Sequence, residues 1–559
     1  MSSLLRSFAL TSSILVLSAC GVGQAPTTAV GTCFIGGPIY TAIDAAPKLA
    51  GVRVSASRII AVTSGPVTKD WCANDRIINL DGAALYPGFT DAHAHLLGIG
   101  LREMTLNLEG TTSIEELKSR LAEAVADTPK GETVYGRGWI ETHWPEKRFP
   151  NRTDLDSVSP DNPVILERAD GHAVVVNSAA ISASGITRDT QAPFGGDILK
   201  DENGEPTGML IDKADQLVAD LMPKITEARK IRAYEQGAKL YASRGWTNIH
   251  AMSVNPDNIP IMENVAKAGN LPIRVYNSID PGNGFKSELF DRSSQALIRT
   301  RAIKLYTDGA LGSRGAALLA PYDDDPGNDG LLLITLDEIR PILERALREG
   351  VQVNTHAIGD RANRLLLDWY EGAFESVPES ERAVPEPRWR VEHAQIVAPD
   401  DIPRYAELGV IPSMQPSHAI SDLHFAVDRI GTDRLVGGYA WRSLIDSGSI
   451  IAGGSDAPVE VGDPRIEFFA AVARKDLAGF SNESWYPSEK VTRQEALKMF
   501  TIWSAHAAFQ ENELGTIEPG KEADFTVFDK DIMTIPEDEI MNAKVIMTVV
   551  GGRIVYRAD

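Results

Sequence analysis

The chain is short of cysteine, of positive charge and of long apolar runs, and each shortage narrows what it can be. Three cysteines in 559 residues allow one internal disulfide at most. Lysine and arginine number 55 against 77 aspartates and glutamates, a net charge of −22. A nucleic-acid-binding protein needs a basic surface for phosphates, so that class is set aside. The deficit is silent about small substrates, because a local field can oppose the global sign. The apolar stretch at 8–16 is interrupted by Thr11, Ser12 and Ser13, too short and too polar to span a bilayer as a mature helix. There is no tandem repeat and no low-complexity tract. What is present is globular: 43% hydrophobic and 24% charged, enough for a sizeable core. The length suits two or three domains, or one large barrel with a smaller domain.

The first 19 residues read as a targeting segment. Arg6 supplies the positive start, the apolar stretch follows, and then Leu17-Ser18-Ala19-Cys20. That tetrapeptide resembles the lipobox of bacterial lipoproteins. The resemblance implies cleavage before Cys20 and a lipid on its sulfur, the alternative being an ordinary signal peptide cut elsewhere. Gly21 follows, not the Asp that marks inner-membrane retention in that family. The expected location is therefore the periplasmic face of the outer membrane, with the cell surface as alternative. Residues 20–29 are small, polar and proline-bearing, a flexible tether. An exported chain meets an oxidising compartment, so a disulfide between Cys33 and Cys72 is expected; two buried free thiols are the alternative.

Residues 30–87 and 510–559 are β-rich at both ends of the chain. Short strands flank an expected turn at Gly36-Gly37-Pro38, and Gly551-Gly552 marks a hairpin. One small β-sandwich domain built from both termini is the expectation. Between them, residues 88–509 alternate apolar runs (273–275, 302–305, 352–354, 449–452) with amphipathic stretches (226–244, 336–349, 493–500). That alternation indicates an α/β fold, a (β/α)8 TIM barrel. Residues 106–225 fit the repeat poorly and read as an insertion.

Two histidines two apart, His93 and His95, follow an apolar strand-like run. On a strand, i and i+2 share a face, so both imidazoles aim at one point, as a metal ion needs. Lys304, His356, His393 and Asp456 each lie in or just after another strand-like run. At the C-terminal ends of barrel strands, such side chains converge on one mouth. Each alone has a bland role: a helix cap for His356, a salt bridge for Lys304, a turn for Asp456. Together they point to a metal site.

Here the chain resembles the amidohydrolase superfamily, and within it the family-3, YtcJ-like hydrolases. The motifs are GFTDAHAH (88–95), GRGWIETHW (136–144), RADGHAVVVNS (168–178), GEPTGML (204–210), IKLYTDGALGSR (303–314), NTHAIGD (354–360), VEHAQ (391–395), GGSDAP (453–458) and GTIEPGKEADFTVFD (515–529). Gly315 departs from the more usual Thr and touches no ligand. The resemblance implies a distorted barrel with a composite β-sandwich. It puts His93, His95, Lys304, His356, His393 and Asp456 at the metal centre. It implies two divalent ions, zinc being expected, bridged by carboxylated Lys304; one ion with Lys304 as a cation is the alternative. The implied reaction is attack of activated hydroxide on a carbon–nitrogen bond, amide-type and non-peptide or N-acyl, in a small substrate, with Asp456 moving the proton. An esterase or lactonase, a deaminase, and a ligand-binding lipoprotein without turnover are the alternatives. Trp139, His143, Trp144, Arg168, Asp170 and His172 are candidate pocket walls, or a small core of the insertion. Arg314 holds an acidic group of the substrate or pairs with Asp308. A homo-oligomer is compatible with the sequence.

Overall fold

The computed structural model describes residues 31–43, 49–141, 144–169, 171, 173–193, 196–282, 284–290, 297–477 and 484–558. Cys20 and the tether lie outside them, as do His143, Asp170 and His172. No helix among the described residues is long and apolar enough to cross a membrane.

Eight parallel strands form the barrel, paired in chain order: β1 (Phe89–Ala94), β2 (Trp246–Val254), β3 (Arg274–Ile279), β4 (Ile298–Tyr306), β5 (Gln352–Ala357), β6 (Arg390–His393), β7 (Ile411–Met414) and β8 (Ala452–Gly453). Strands covered by helices on one face and packed barrel interior on the other lose the polar alternation of a half-exposed sheet. β1, β3 and β6 accordingly have no exposed residue. Helices such as Glu227–Arg244 and Leu336–Glu349 end on left-handed glycines, Gly245 and Gly350, which turn the chain into the next strand.

β8 is only two residues long, and the ring closes beyond it through the backbone. Asp456 N–H donates to the His93 carbonyl at 2.6 Å, and His95 N–H to the Ala457 carbonyl at 2.7 Å. Buried Asp91 stitches the same seam. Its Oδ1 accepts from Ser455 N at 2.9 Å and its Oδ2 from Ser455 Oγ at 2.6 Å and Tyr241 Oη at 3.0 Å. Gly454 allows the approach, since a Cβ there would lie 2.5 Å from His93 N.

Between the helix Leu96–Glu103 and β2 the chain builds a separate six-stranded sheet, running from Leu106–Asn107 to Pro206–Asp212, with a hydrophobic cluster on either side. Buried Arg102 ties the start of this insertion to the loop after β8: its guanidinium donates to Glu109 Oε1 at 2.9 Å and to the carbonyls of Glu460 and Val461, both at 3.1 Å.

Strands from both termini share one eight-stranded sheet, in which Phe525–Phe528 pairs antiparallel with Ala84–Pro87. Phe34, Val52, Leu85, Phe525, Val527 and Val549 form its core. The turn expected at Gly36-Gly37-Pro38 does not form. Thr32–Ile39 is one strand with a bulge there, and Gly36 sits at φ 85° where a Cβ would meet Asn79 Oδ1 at 2.0 Å. The bulge lets the strand's first half pair with Arg76–Asn79 and its last residue with Leu85. Cys33 and Cys72 form a disulfide that closes a 39-residue separation, Cα–Cα 5.7 Å.

In a chain-entropy account a loop of that size contributes about 4 kcal/mol. The double variant Cys33→Ser/Cys72→Ser should therefore unfold at clearly lower denaturant than the oxidised protein. Equal midpoints would show that the bridge adds nothing to the β-domain.

Candidate metal centre

The six candidate side chains lie on or just after barrel strands. His93 lies on β1 with His95 just after it, Lys304 on β4, His356 on β5, His393 at the end of β6 and Asp456 three residues past β8. Ligand atoms of His93, His393 and Asp456 all lie within 4.8 Å of one another. Ring centroids are 4.8 Å apart for His93 and His393, and 4.5 Å for His356 and His393. Asp456 Oδ1 is 3.4 Å from His93 Nε2 and 3.1 Å from His95 Nε2. His393 and Asp456 hold left-handed backbone, φ 76° and 61°. Non-glycine residues rarely adopt it, and strain of this kind gathers at functional sites.

Each imidazole has one nitrogen engaged behind it. His93 Nδ1 meets Glu392 Oε2 at 2.5 Å, His95 Nδ1 the Met252 carbonyl at 3.2 Å, and His393 Nδ1 the Gln415 Oε1 at 2.8 Å. All three therefore present Nε2. His356 differs: its Nε2 meets the Gly309 carbonyl at 3.3 Å, leaving Nδ1 for the site.

Burial depresses the basicity of three of these rings. Desolvation lowers His93, takes His356 down to about 3 and holds His393 well below the usual imidazole range. Neutral imidazole is the form that binds metal. For Asp456 burial acts upward, but His93, His95 and His393 outweigh it and hold the carboxyl well below its ordinary range. Burial lowers the Lys304 amine to about 8. Lys304 is 2% exposed, and its nitrogen lies 4.0 Å from the Tyr306 ring with no hydrogen bond among the described residues. A buried amine without a hydrogen bond is costly as a cation. Neutral imidazoles, an ionised carboxylate and a readily deprotonated amine facing one point suit a divalent metal ion.

Of the candidate substrate contacts, Trp139, Trp144, Arg168 and Arg314 fall within the described residues, and each is engaged with other parts of the protein. Trp139 is fully buried in the insertion core with Trp144, and its indole N–H donates to the Leu166 carbonyl at 2.9 Å. It packs the insertion and does not line the mouth, because all its surface is taken by neighbours. Arg314 pairs with Asp324 and not with Asp308. Its guanidinium clasps Asp324 at 2.8 and 3.0 Å, while buried Asp308 accepts backbone N–H groups of Ala317, Ile358 and Gly359. Arg168 likewise pairs with Glu141 at 2.9 Å.

Sequence reading passed over Arg390, Glu392, Gln415 and His418. His418 stacks on His393 at 5.7 Å and sets its Nε2 3.7 Å from Asp456 Oδ2. The signal for Arg390 and Glu392 was available: two charges alternate inside a short strand that the barrel pattern buries completely.

A parallel barrel whose mouth gathers imidazoles, a carboxylate and a buried lysine defines a metal-dependent hydrolase. The chain belongs to the amidohydrolase family, which it matches over residues 76–556. It is 34% identical to YtcJ of Bacillus subtilis, a protein named for the amidohydrolases, over 93% of this chain and 98% of that one. It is 29% identical to the N-substituted formamide deformylase of Arthrobacter pascens, over 90% of this chain and 94% of that one. A solved metal-dependent hydrolase from Pyrococcus horikoshii superposes with TM-score 0.72 at 27% identity, over 91% of this chain and 99% of that one.

The placement of Trp139 has a direct consequence. Trp139→Ala should destabilise the fold by about 3–5 kcal/mol, as large-to-small changes of buried aromatics do. Chemical denaturation measures it, with KM unchanged for the folded fraction. Unaltered stability with a raised KM would return Trp139 to the substrate pocket.

Proposed function

We propose that the protein hydrolyses an amide-type carbon–nitrogen bond, non-peptide or N-acyl, in a small substrate, using two divalent ions, zinc, bridged by carboxylated Lys304. The observation that carries this reading is the convergence of His93, His393 and Asp456 beside a buried lysine without a hydrogen bond. The likeness to an N-substituted formamide deformylase supports the bond type. His93, His95 and Asp456 would hold one ion, His356 and His393 the other, with Lys304 between them. Bound divalent ions supply a nucleophilic water at neutral pH and polarise a carbonyl.

The chain's own residues do the rest. Asp456 is ionised at neutral pH, so an oxygen of its carboxylate can take the proton lost by the attacking water. The same proton then passes to the leaving nitrogen as the carbon–nitrogen bond breaks and a carbon–oxygen bond has formed. Held by the seam and by His95, the carboxylate needs no reorientation between the two transfers.

Lys304 offers the sharpest test. Lys304→Ala should lose both metal and activity, and a short carboxylic acid should partly restore them by filling the vacated bridge. Lys304→Arg should fail equally, because guanidinium stays protonated and cannot carry a carboxyl group. Elemental analysis should give about two ions per chain. One ion, with Lys304→Arg still active on N-substituted formamides or N-acyl amines, would contradict the bridge. Turnover of simple esters with no turnover of any amide would move the reading to an esterase.

The protein is further proposed to be exported and lipid-anchored through Cys20 at the periplasmic face of the outer membrane. The Cys33–Cys72 disulfide supports an oxidising compartment. Labelled fatty acid should enter the wild-type chain and not Cys20→Ser. A mature protein beginning elsewhere, without lipid, would contradict this.

A further inference from the structure

Beneath the metal centre lies an ion pair that the proposed hydrolysis does not use. Arg390 and Glu392 are both fully buried inside the barrel, two residues apart on β6 and facing the same way. Arg390 Nε lies 2.7 Å from Glu392 Oε1, and its Nη2 donates to Glu392 Oε2 at 3.0 Å. The same guanidinium reaches across the barrel. Nη2 donates to the Ala92 carbonyl on β1 at 2.6 Å and to Ser413 Oγ on β7 at 2.7 Å; Nη1 meets His250 Nδ1 on β2 at 3.0 Å. One cation thus touches four strands.

A buried ion pair is a poor way to stabilise a core, since apolar residues of similar size do as well or better. Its presence here calls for another role, and the free end of the pair indicates which. Glu392 Oε2 ends 2.5 Å from His93 Nδ1. A carboxylate accepts and cannot donate, so the ring proton must sit on Nδ1 and the lone pair on Nε2. Nε2 is the atom that faces Asp456. His95 and His393 are oriented too, but by uncharged acceptors, a backbone carbonyl and an amide oxygen. His93 alone among these three is backed by an anion, which makes its Nε2 the strongest donor of the set.

We propose that Glu392, braced by Arg390, is the positioning residue that fixes His93 as the Nδ1–H tautomer and presents Nε2 to the metal, so that metal retention depends on it. Arg390 is part of the device because it grips both Glu392 oxygens, at 2.7 and 3.0 Å, and so fixes the carboxylate against the ring. The inference rests on the metal-site reading, but not on the bond that is cleaved.

The test uses the full-length metal-free protein, without substrate. In 15N-histidine spectra, the ring assigned to His93 by comparison with His93→Gln should show protonated Nδ1 and bare Nε2. An Nε2–H tautomer in the wild-type protein overturns the proposal with no further variant. Zinc affinity is then measured by competition with a chromogenic chelator. Glu392→Gln should bind zinc about 10–100-fold more weakly than wild type, and its folded fraction should lose the fixed tautomer. Glu392→Asp keeps the anion and should recover part of the affinity; it also serves if the Gln variant does not fold. Unchanged zinc affinity in a folded Glu392 variant, whatever its stability, would reduce the pair to a structural brace. Failure of the wild-type protein to bind any divalent ion would instead overturn the metal-site reading itself.

Discussion

The structure turns on how an eight-stranded parallel barrel closes when its last strand is two residues long. A regular ladder between β8 and β1 is replaced by two backbone hydrogen bonds, Asp456 to His93 and His95 to Ala457, with Asp91 clamping Ser455 from the side. Closure therefore also brings candidate ligands together. The backbone that seals the barrel carries three of the six candidate ligands, and the left-handed turn at Asp456 aims its carboxylate at the imidazoles of β1. A chain that failed to close would have no site, and a chain that closed with a regular ladder would aim Asp456 elsewhere.

The other elements can be understood as supports for that seam. The insertion grows from the end of the helix after β1, and Arg102 pins it to the loop following Asp456. The β-domain attaches at the opposite end of β1, where Gly88 N–H donates to the Asp524 carbonyl at 2.7 Å and Phe89 N–H to Thr526 Oγ1 at 3.0 Å. β1 is thus held at its start by the terminal domain and at its end by the seam. The charged pair on β6 lies within the barrel between them, under His93.

Much of this was legible in the sequence because it is written in short-range pattern. The helix at 336–349 follows from its amphipathic period, and the His93/His95 spacing follows from the two-residue repeat of a strand. The insertion betrays itself by interrupting the barrel's alternation. What was not legible depends on partners outside the local repeat of a strand or helix. Trp139 in a motif with other aromatics looks the same whether it lines a pocket or fills a core; only the Leu166 carbonyl over its indole decides. Arg314 needed Asp324 placed beside it, and Glu392 needed a histidine 299 residues away. The bulge at Gly36 mimics a turn because both use glycine for positive φ.

Everything above turns on whether metal binds at the seam through these side chains. Crystals of the protein prepared with zinc, measured on both sides of the zinc absorption edge, test it most directly. Two anomalous peaks should flank extra density on Lys304, the first about 2.0–2.1 Å from His93 Nε2. An ordered mouth with His93, His393 and Asp456 in place, zinc supplied and no anomalous peak among them would contradict it.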